Sequence, residues 1–126
     1  MRKPISIGGE QVEIYANAAT PLFYKHVFQD DLLRHIGSDE DSLVRTDTCM
    51  KLTFILVMQA RNLSTGDMIK LRESDCIAWL AHYEYTDMLD PANKALYCFL
   101  GIDEEQAQGG DGEESSKNAP EEQSAS

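Results

Sequence analysis

The sequence predicts a mainly α fold, a small helical domain of about four to five helices with an N-terminal β-hairpin and a disordered acidic C-terminal tail. Three observations support this prediction. Apolar and polar residues alternate on both sides of a Gly-Gly pair near the N-terminus, and apolar residues then recur at helical spacing up to position 100. Residues 103–126 contain no large apolar side chain. Residues 1–102 are therefore predicted to form one helical domain, and residues 103–126 a separate tail.

The N-terminal residues predict the hairpin. Ile5 and Ile7 alternate with polar neighbours before Gly8-Gly9, and Val12 and Ile14 do so after it. Glycines supply the positive φ angles of a tight two-residue turn, and the alternation gives the hairpin one buried face. Because an isolated hairpin is only marginally stable in water, we expect it to pack against the helices.

The first helix is predicted to begin at Thr20-Pro21, where the hydroxyl caps the helix and proline takes its first position. One broad apolar face then follows at helical spacing, formed by Leu22, Phe23, Tyr24, Val27 and Phe28. The next apolar residues lie on a different side of the helix, and these are Leu32, Leu33 and Ile36. This change of phase predicts a break near Asp30 and two short helical pieces, the second ending at Gly37.

A long central helix is predicted next, capped by Ser38 or Asp39 and extending to about Arg61. Residues 50–58 are apolar nearly all round this helix, which is typical of a helix buried from several directions. We therefore expect residues 50–58 to form the centre of the core. The polar stretch from Asn62 to Asp67 is predicted to be a loop.

Two shorter helices complete the predicted domain. Ser74 is the predicted cap of the first, whose apolar residues keep the i, i+3, i+4, i+7 spacing in Cys76, Trp79, Leu80 and Tyr83. Asp90-Pro91 is the predicted start of the second helix, and Gly101 is its predicted end.

The net charge of the chain lies mostly in its tail. One lysine and eight acidic residues give residues 103–126 a charge of −7, which leaves −4 on residues 1–102 from a total of −11. Such a segment has too little apolar surface to offset the entropy of ordering, so we expect it to be disordered. An acidic protein repels phosphate backbones, and nucleic acid is therefore not an expected partner.

The sequence offers no pattern typical of an enzyme, a cofactor site or a metal site. His26, His35 and His82 do not form a His-x-x-x-His motif, and no serine lies in a Gly-x-Ser-x-Gly elbow. No stretch has the residues of a phosphate-binding loop or of an EF-hand. We expect no enzymatic activity, no cofactor and no metal.

The cysteines and the apolar segments indicate a protein of a reducing compartment. Cys49, Cys76 and Cys98 are odd in number, widely spaced and set among apolar residues, which predicts buried free thiols. No apolar run is long enough to span a membrane, and the basic N-terminus is not followed by the apolar segment of a signal peptide.

Aromatic residues point to protein binding. Those of the predicted helical part include Phe23, Tyr24, Phe28, Trp79, Tyr83, Tyr85, Tyr97 and Phe99. This number is high for so small a domain, and partly exposed aromatic residues are typical of protein interfaces. Each one taken singly is better explained by the core and its rim, whereas the group as a whole favours one or two of them at an interface.

The order of these segments resembles the tail assembly chaperones of phages and prophages of Gram-positive bacteria that have long, non-contractile tails. The resemblance lies in Ile5-Ser-Ile-Gly-Gly-Glu, in the Asn17-Ala-Ala-Thr-Pro-Leu-Phe-Tyr-Lys-His-Val-Phe-Gln-Asp-Asp-Leu-Leu segment, and in the central apolar helix from Met50 to Ala60. It continues in Trp79-Leu80 followed by Tyr83-Glu84, and covers about residues 5 to 90. The family often has glycine where this chain has Gln29.

The resemblance implies a role in virion assembly in the host cytoplasm. Such a protein would bind the tape measure protein, keep its apolar helices soluble during tail assembly, and be absent from the mature virion. Tail tube protein and a frameshifted longer form of the chain itself would be further partners. A groove for the client is hypothesised to be lined by parts of Phe23, Val27, Phe28, Trp79 and Tyr83. The alternative hypothesis is an acidic DNA mimic, or another small phage-encoded inhibitor or adaptor.

Overall fold

The computed structural model describes residues 2–36 and 42–102, with the side chains of residues 42–44 left aside. It confirms a mainly helical fold with an N-terminal hairpin. The elements are β1 (Arg2–Ile7), β2 (Glu10–Tyr15), α1 (Thr20–Phe28), α2 (Leu32–His35), α3 (Ser42–Ala60), α4 (Thr65–Lys70), α5 (Glu73–Leu80) and α6 (Tyr85–Leu100). Three sequence predictions lie outside the described residues, and these are the helix end at Gly37, the cap at Ser38 or Asp39, and the disorder of residues 103–126.

The hairpin forms as predicted. β1 and β2 pair antiparallel, with Ile5 opposite Val12 and Ile7 opposite Glu10. Gly8 and Gly9 form the turn with φ angles of 59° and 87°, a region that glycine adopts without steric cost. The apolar face of the hairpin packs on α3 and α6, which supplies the support that an isolated hairpin lacks.

α3 is the centre of the core, as predicted for residues 50–58. Every residue from Leu52 to Gln59 is buried, because the hairpin, α1 and α6 all pack around this helix. The buried polar residue Thr53 satisfies its hydroxyl by donating to the backbone oxygen of Cys49 at 2.7 Å. The helix ends at Ala60, one residue before the predicted end.

The start of α1 differs in detail from the prediction. The cap position is Ala19, and Thr20 is already inside the helix with its side chain fully buried. The Thr20 hydroxyl donates to Gln59 Oε1 at 2.7 Å, so it joins α1 to α3 instead of capping α1. The predicted break is confirmed: α1 ends at Phe28, and the following cap residue Gln29 adopts the left-handed conformation with φ 55°. Asp31 then caps α2, since its Oδ1 accepts from the backbone N–H of Leu33 at 3.2 Å.

The predicted loop from Asn62 to Asp67 overlaps a helix that the sequence pattern missed. α4 begins at Thr65, capped by Ser64, whose Oγ accepts from the backbone N–H of Asp67 at 3.1 Å. Met68 is its one buried residue. A single buried residue in six gives no apolar periodicity, so the pattern of the sequence could not reveal this helix.

α5 starts earlier than predicted and ends sooner. Its cap position is Arg72 and not Ser74, and the Asp75 carboxylate accepts from the backbone N–H of Arg72 at 2.9 Å. The helix ends at Leu80, so Tyr83 lies in the turn that leads to α6. Cys76 is its one fully buried residue.

The predicted helix start at Asp90-Pro91 is wrong, because α6 begins at Tyr85 and contains Pro91 in its interior. Proline lacks the N–H that would bond to the carbonyl four residues earlier, which normally disfavours this position. Here the ring of Pro91 is buried on the same face as Met88, Ala92 and Ala95, and this face packs on α3. Burial of the face stabilises a helix that local sequence preferences alone would break. No helix in the described part of the chain is both long and apolar enough to cross a membrane.

Candidate protein-binding surface

Two of the five predicted binding residues, Trp79 and Tyr83, form one aromatic cluster. The Trp79 ring lies 5.9 Å from that of Phe54 and 5.3 Å from that of Tyr83, measured between ring centroids. Tyr83 reaches the hairpin, where its hydroxyl donates to Glu10 Oε1 at 3.1 Å. Burial and the neighbouring Glu10 raise the pKa of Tyr83. Both aromatic residues are half-buried against the core, and their outer edges remain accessible.

Val27 and Phe28 belong mainly to the core. Their side chains are only 6% and 8% exposed. Phe28 packs against Tyr24 with ring centroids 4.8 Å apart, and the Lys51 ammonium lies 5.4 Å from the centre of the Phe28 ring. A charged substitution at Phe28 would therefore disrupt the core as well as any binding surface.

Phe23 lies in a different environment. It lines an open cavity of about 320 Å³ together with residues of the hairpin, α3 and α4, among them Tyr15, Gln59 and Met68. Two other lining residues of this cavity, Asn17 and Gln59, are hydrogen-bonded to each other, since the Gln59 amide N–H donates to Asn17 Oδ1 at 3.0 Å. The Gln59 amide oxygen accepts from the Thr20 hydroxyl.

A groove lies between α1 and the α4–α5 segment, and apolar side chains form part of its lining. We call it the α1/α4 groove; its volume is about 460 Å³, and its lining residues are His26, Val27, Gln29, Ile69, Lys70, Leu71, Arg72 and Glu73. Of the five predicted binding residues, only Val27 lines it. The five therefore do not share one concave surface, and their role in binding stays a prediction.

Three exposed apolar side chains lie in or beside the α1/α4 groove. Ile69 lines it and is 43% exposed. Leu22 is 69% exposed and lies one helical turn before His26 on α1, while Ile77 is 62% exposed and lies one turn after Glu73 on α5. Residues at this spacing share a helix face, so Leu22 lies on the same face of α1 as His26 and Ile77 on the same face of α5 as Glu73.

Sequence reasoning missed these three residues for different reasons. Leu22 was grouped with the other residues of the predicted apolar face of α1, and Ile69 lies in a helix that was not predicted. Ile77 had a detectable signal, because it falls outside the apolar spacing of Cys76, Trp79 and Leu80 and must point away from the core.

The three cysteine side chains lie in the interior of the described part of the chain. Cys49, Cys76 and Cys98 are free and buried, as predicted. Burial raises the pKa of each thiol, that of Cys76 to about 12, so the reactive thiolate is disfavoured. Residues 2–36 and 42–102 contain no group of three or more metal-ligating side chains.

His35 pairs with a carboxylate. His35 Nε2 lies 2.7 Å from Asp30 Oδ2, just after the break between α1 and α2. Partial burial acts to raise the pKa of the Asp30 carboxyl, but the hydrogen bond and charge of His35 outweigh it and hold that pKa below its usual value. The pair stabilises the break, where Asp31 also caps α2.

Comparison with protein-family models, with curated proteins and with solved structures gives no match to this chain.

Proposed function

We propose that this chain is an assembly chaperone of the phage-tail type, which binds apolar helical segments of the tape measure protein in the host cytoplasm. Tail tube protein and a frameshifted longer form of the chain are the further partners of this proposal. The observation that supports it best is the α1/α4 groove with exposed Leu22, Ile69 and Ile77. The resemblance supplies the identity of the client, and the groove supplies a surface suited to it.

The groove has the chemistry that an amphipathic helix requires. Its volume of about 460 Å³ lies within the roughly 300–1,000 Å³ of ligand clefts. Apolar side chains that repeat every three to four residues on a client helix would contact Ile69 in the groove and Leu22 and Ile77 at its sides. Polar groups of the client would remain towards solvent and towards Lys70 and Arg72.

The energetics favour weak, repeated binding over one tight complex. Burying the exposed parts of three aliphatic side chains contributes roughly 3–6 kcal/mol in total. A micromolar complex needs about 8 kcal/mol, and association itself has an entropic cost. Such a small binding free energy is sufficient when many copies bind along one long client. It is too small for an inhibitor that acts as a single tight ligand.

The test uses two exposed residues, so that the fold is retained. Leu22→Asp combined with Ile77→Asp is expected to abolish the increase in soluble tape measure protein that co-expression with the wild-type chain produces. The physical reason is that two new charges would have to be desolvated against the apolar face of the client. The measurement is the soluble fraction of the tape measure protein encoded in the same genome.

The matched control is Leu33→Asp combined with Leu89→Asp. These residues are 58% and 39% exposed, lie on α2 and α6, and give the same change in charge outside the groove. The control should solubilise the client as well as the wild type does. Equal solubilisation by both double variants would remove the groove from the proposal, and a wild-type chain without effect on any neighbouring tape measure gene product would end the chaperone proposal itself.

A further inference from the structure

Three basic side chains lie around Gln29 and have no ion-pair partner among the described residues. Lys70 and Arg72 line the α1/α4 groove together with Gln29. Lys25 lines a second, polar cavity of about 350 Å³ that shares Gln29 with the groove and also includes Arg34. Among the described residues, the ion pairs of this region involve Arg34 and Lys51 but none of Lys25, Lys70 and Arg72. We call the four residues Lys25, Arg34, Lys70 and Arg72 around Gln29 the Gln29 surface.

Three described carboxylates near the Gln29 surface, those of Asp30, Asp31 and Glu73, have local partners. Asp30 bonds to His35 at 2.7 Å and lies 3.8 Å from Arg34. The Asp31 carboxylate caps α2, and Glu73 lies 3.7 Å from the Lys51 ammonium. Each of these carboxylates is thus engaged locally, while three basic groups of the surface remain available for an external anionic group.

The C-terminal segment starts close to this surface. Near the end of α6, Leu96 and Leu100 line an apolar cavity of about 240 Å³ together with Leu32 and His35 of α2. Arg34, on that same short helix, belongs to the Gln29 surface. A helix of four residues is only about 6 Å long, so the end of α6 and the Gln29 surface both adjoin α2 within a short distance.

We propose that the acidic segment 103–126 of this chain docks on its own Gln29 surface and covers the mouth of the α1/α4 groove. Its charge of −7 is complementary to three unpaired basic groups. It has no large apolar side chain, so it occupies the groove by charge alone and can be displaced by a client that buries apolar surface. A chain of this length spans about 80 Å when extended, so its reach does not limit the contact.

This inference rests on charge and chain connectivity, and it holds whether or not the client of the groove is the tape measure protein. Its functional consequence is that the empty groove is shielded from unrelated proteins and opened by competition. Because the contact is ionic and exposed, it weakens as salt is added.

The experiment uses the full chain with a spin label on Ser124→Cys. The three native thiols are buried with raised pKa values, so the added cysteine reacts selectively. Paramagnetic broadening of backbone amides is expected to concentrate at residues 25–29 and 69–72. It should disappear when the ionic strength is raised from about 0.01 M to about 1 M, which shortens the Debye length from roughly 30 Å to roughly 3 Å.

Two charge variants make the test specific. Lys25→Glu combined with Lys70→Glu should abolish the broadening at residues 25–29 and 69–72. Lys3→Glu combined with Lys94→Glu changes the net charge equally at other places and should preserve it. The dispersion of the same amide spectra reports whether each variant is folded.

Broadening spread evenly over the domain, absent at low salt, or equally sensitive to both charge variants would overturn the proposal. A broadening pattern that fades on dilution would show that the segment docks on a second copy, which would overturn docking within one chain. These outcomes are independent of client solubilisation, so failure here and failure of the proposed function can be told apart.

Discussion

Gln29 adopts a backbone conformation that glycine favours, with φ 55° at the end of α1. A side chain with a Cβ is strained there by about 1–2 kcal/mol. Gln29 offsets part of this cost, because its amide donates to the backbone oxygen of His26 at 2.7 Å and so caps the helix end. Gln29 lines both the α1/α4 groove and the polar cavity, and a glycine would offer no side chain to either.

Substitution of Gln29 separates the two effects. Gln29→Ala loses the cap and keeps the strain, whereas Gln29→Gly loses the cap and relieves the strain. We expect the glycine variant to be more stable than the alanine variant by about 1 kcal/mol, measured as the free energy of unfolding in urea. Equal stability of the two variants would mean that the left-handed conformation at this residue is not maintained in solution.

The junction between α1 and α3 depends on one buried polar contact. Thr20 donates to Gln59 Oε1 at 2.7 Å and accepts from the backbone N–H of Asn17 at 3.0 Å. Both Thr20 and Gln59 are buried, so water cannot replace the hydrogen bond between them if either side chain is removed. The orientation of α1, and with it one wall of the α1/α4 groove, is thereby linked to the central helix.

Thr20→Val should therefore destabilise the protein by about 1–3 kcal/mol, because it keeps the shape of the side chain and removes the hydroxyl that donates to the buried Gln59 Oε1 and accepts from the Asn17 N–H. Thr86→Val is the matched control, since Thr86 is exposed in the first turn of α6. The control should change the free energy of unfolding by less than about 0.5 kcal/mol. A Thr20 variant that matches the control would show that the contact does not stabilise the junction.

At the scale of helices and strands, prediction succeeded where burial repeats along the element. The hairpin has a two-residue period and α3 is apolar nearly all round, and both were predicted correctly. Prediction failed at α4, which has one buried residue, and at the start of α6, where packing against α3 overrides the helix-breaking effect of Pro91. Element boundaries were set by contacts that are distant in sequence.

At the scale of the whole molecule, the buried neutral acids make stability sensitive to alkaline pH. Burial raises the pKa of Cys76 to about 12 and raises those of Cys49, Cys98 and Tyr24. In the unfolded chain these groups lose their protons at their ordinary pKa values, 9.0 for cysteine and 10.0 for tyrosine. Above pH 9 the unfolded state therefore binds fewer protons than the folded state, and the free energy of unfolding falls as pH rises.

The expected size of this effect is up to about 1.4 kcal/mol per pH unit for each such group. Urea unfolding at about pH 7.5 and about pH 10 should show a loss that exceeds this single-group value, because several groups contribute. Cys76→Ala should make the dependence shallower, even though the smaller side chain lowers stability at every pH. A pH dependence that is unchanged in this variant would contradict the burial of that thiol.

The sequence by itself determined the mainly helical class, the hairpin, the buried central helix, the break after α1 and the buried thiols. These properties follow from local spacing, since residues two, three or four positions apart share one face of a strand or helix. The tertiary structure alone decided which apolar residues stay exposed. Trp79 and Tyr83 pack edge to face, whereas Val27 and Phe28 lie in the core. The α1/α4 groove forms where α1 meets α4, a helix that the sequence pattern did not predict. Exposure depends on what the remaining elements cover, and that depends on contacts between residues far apart in the chain.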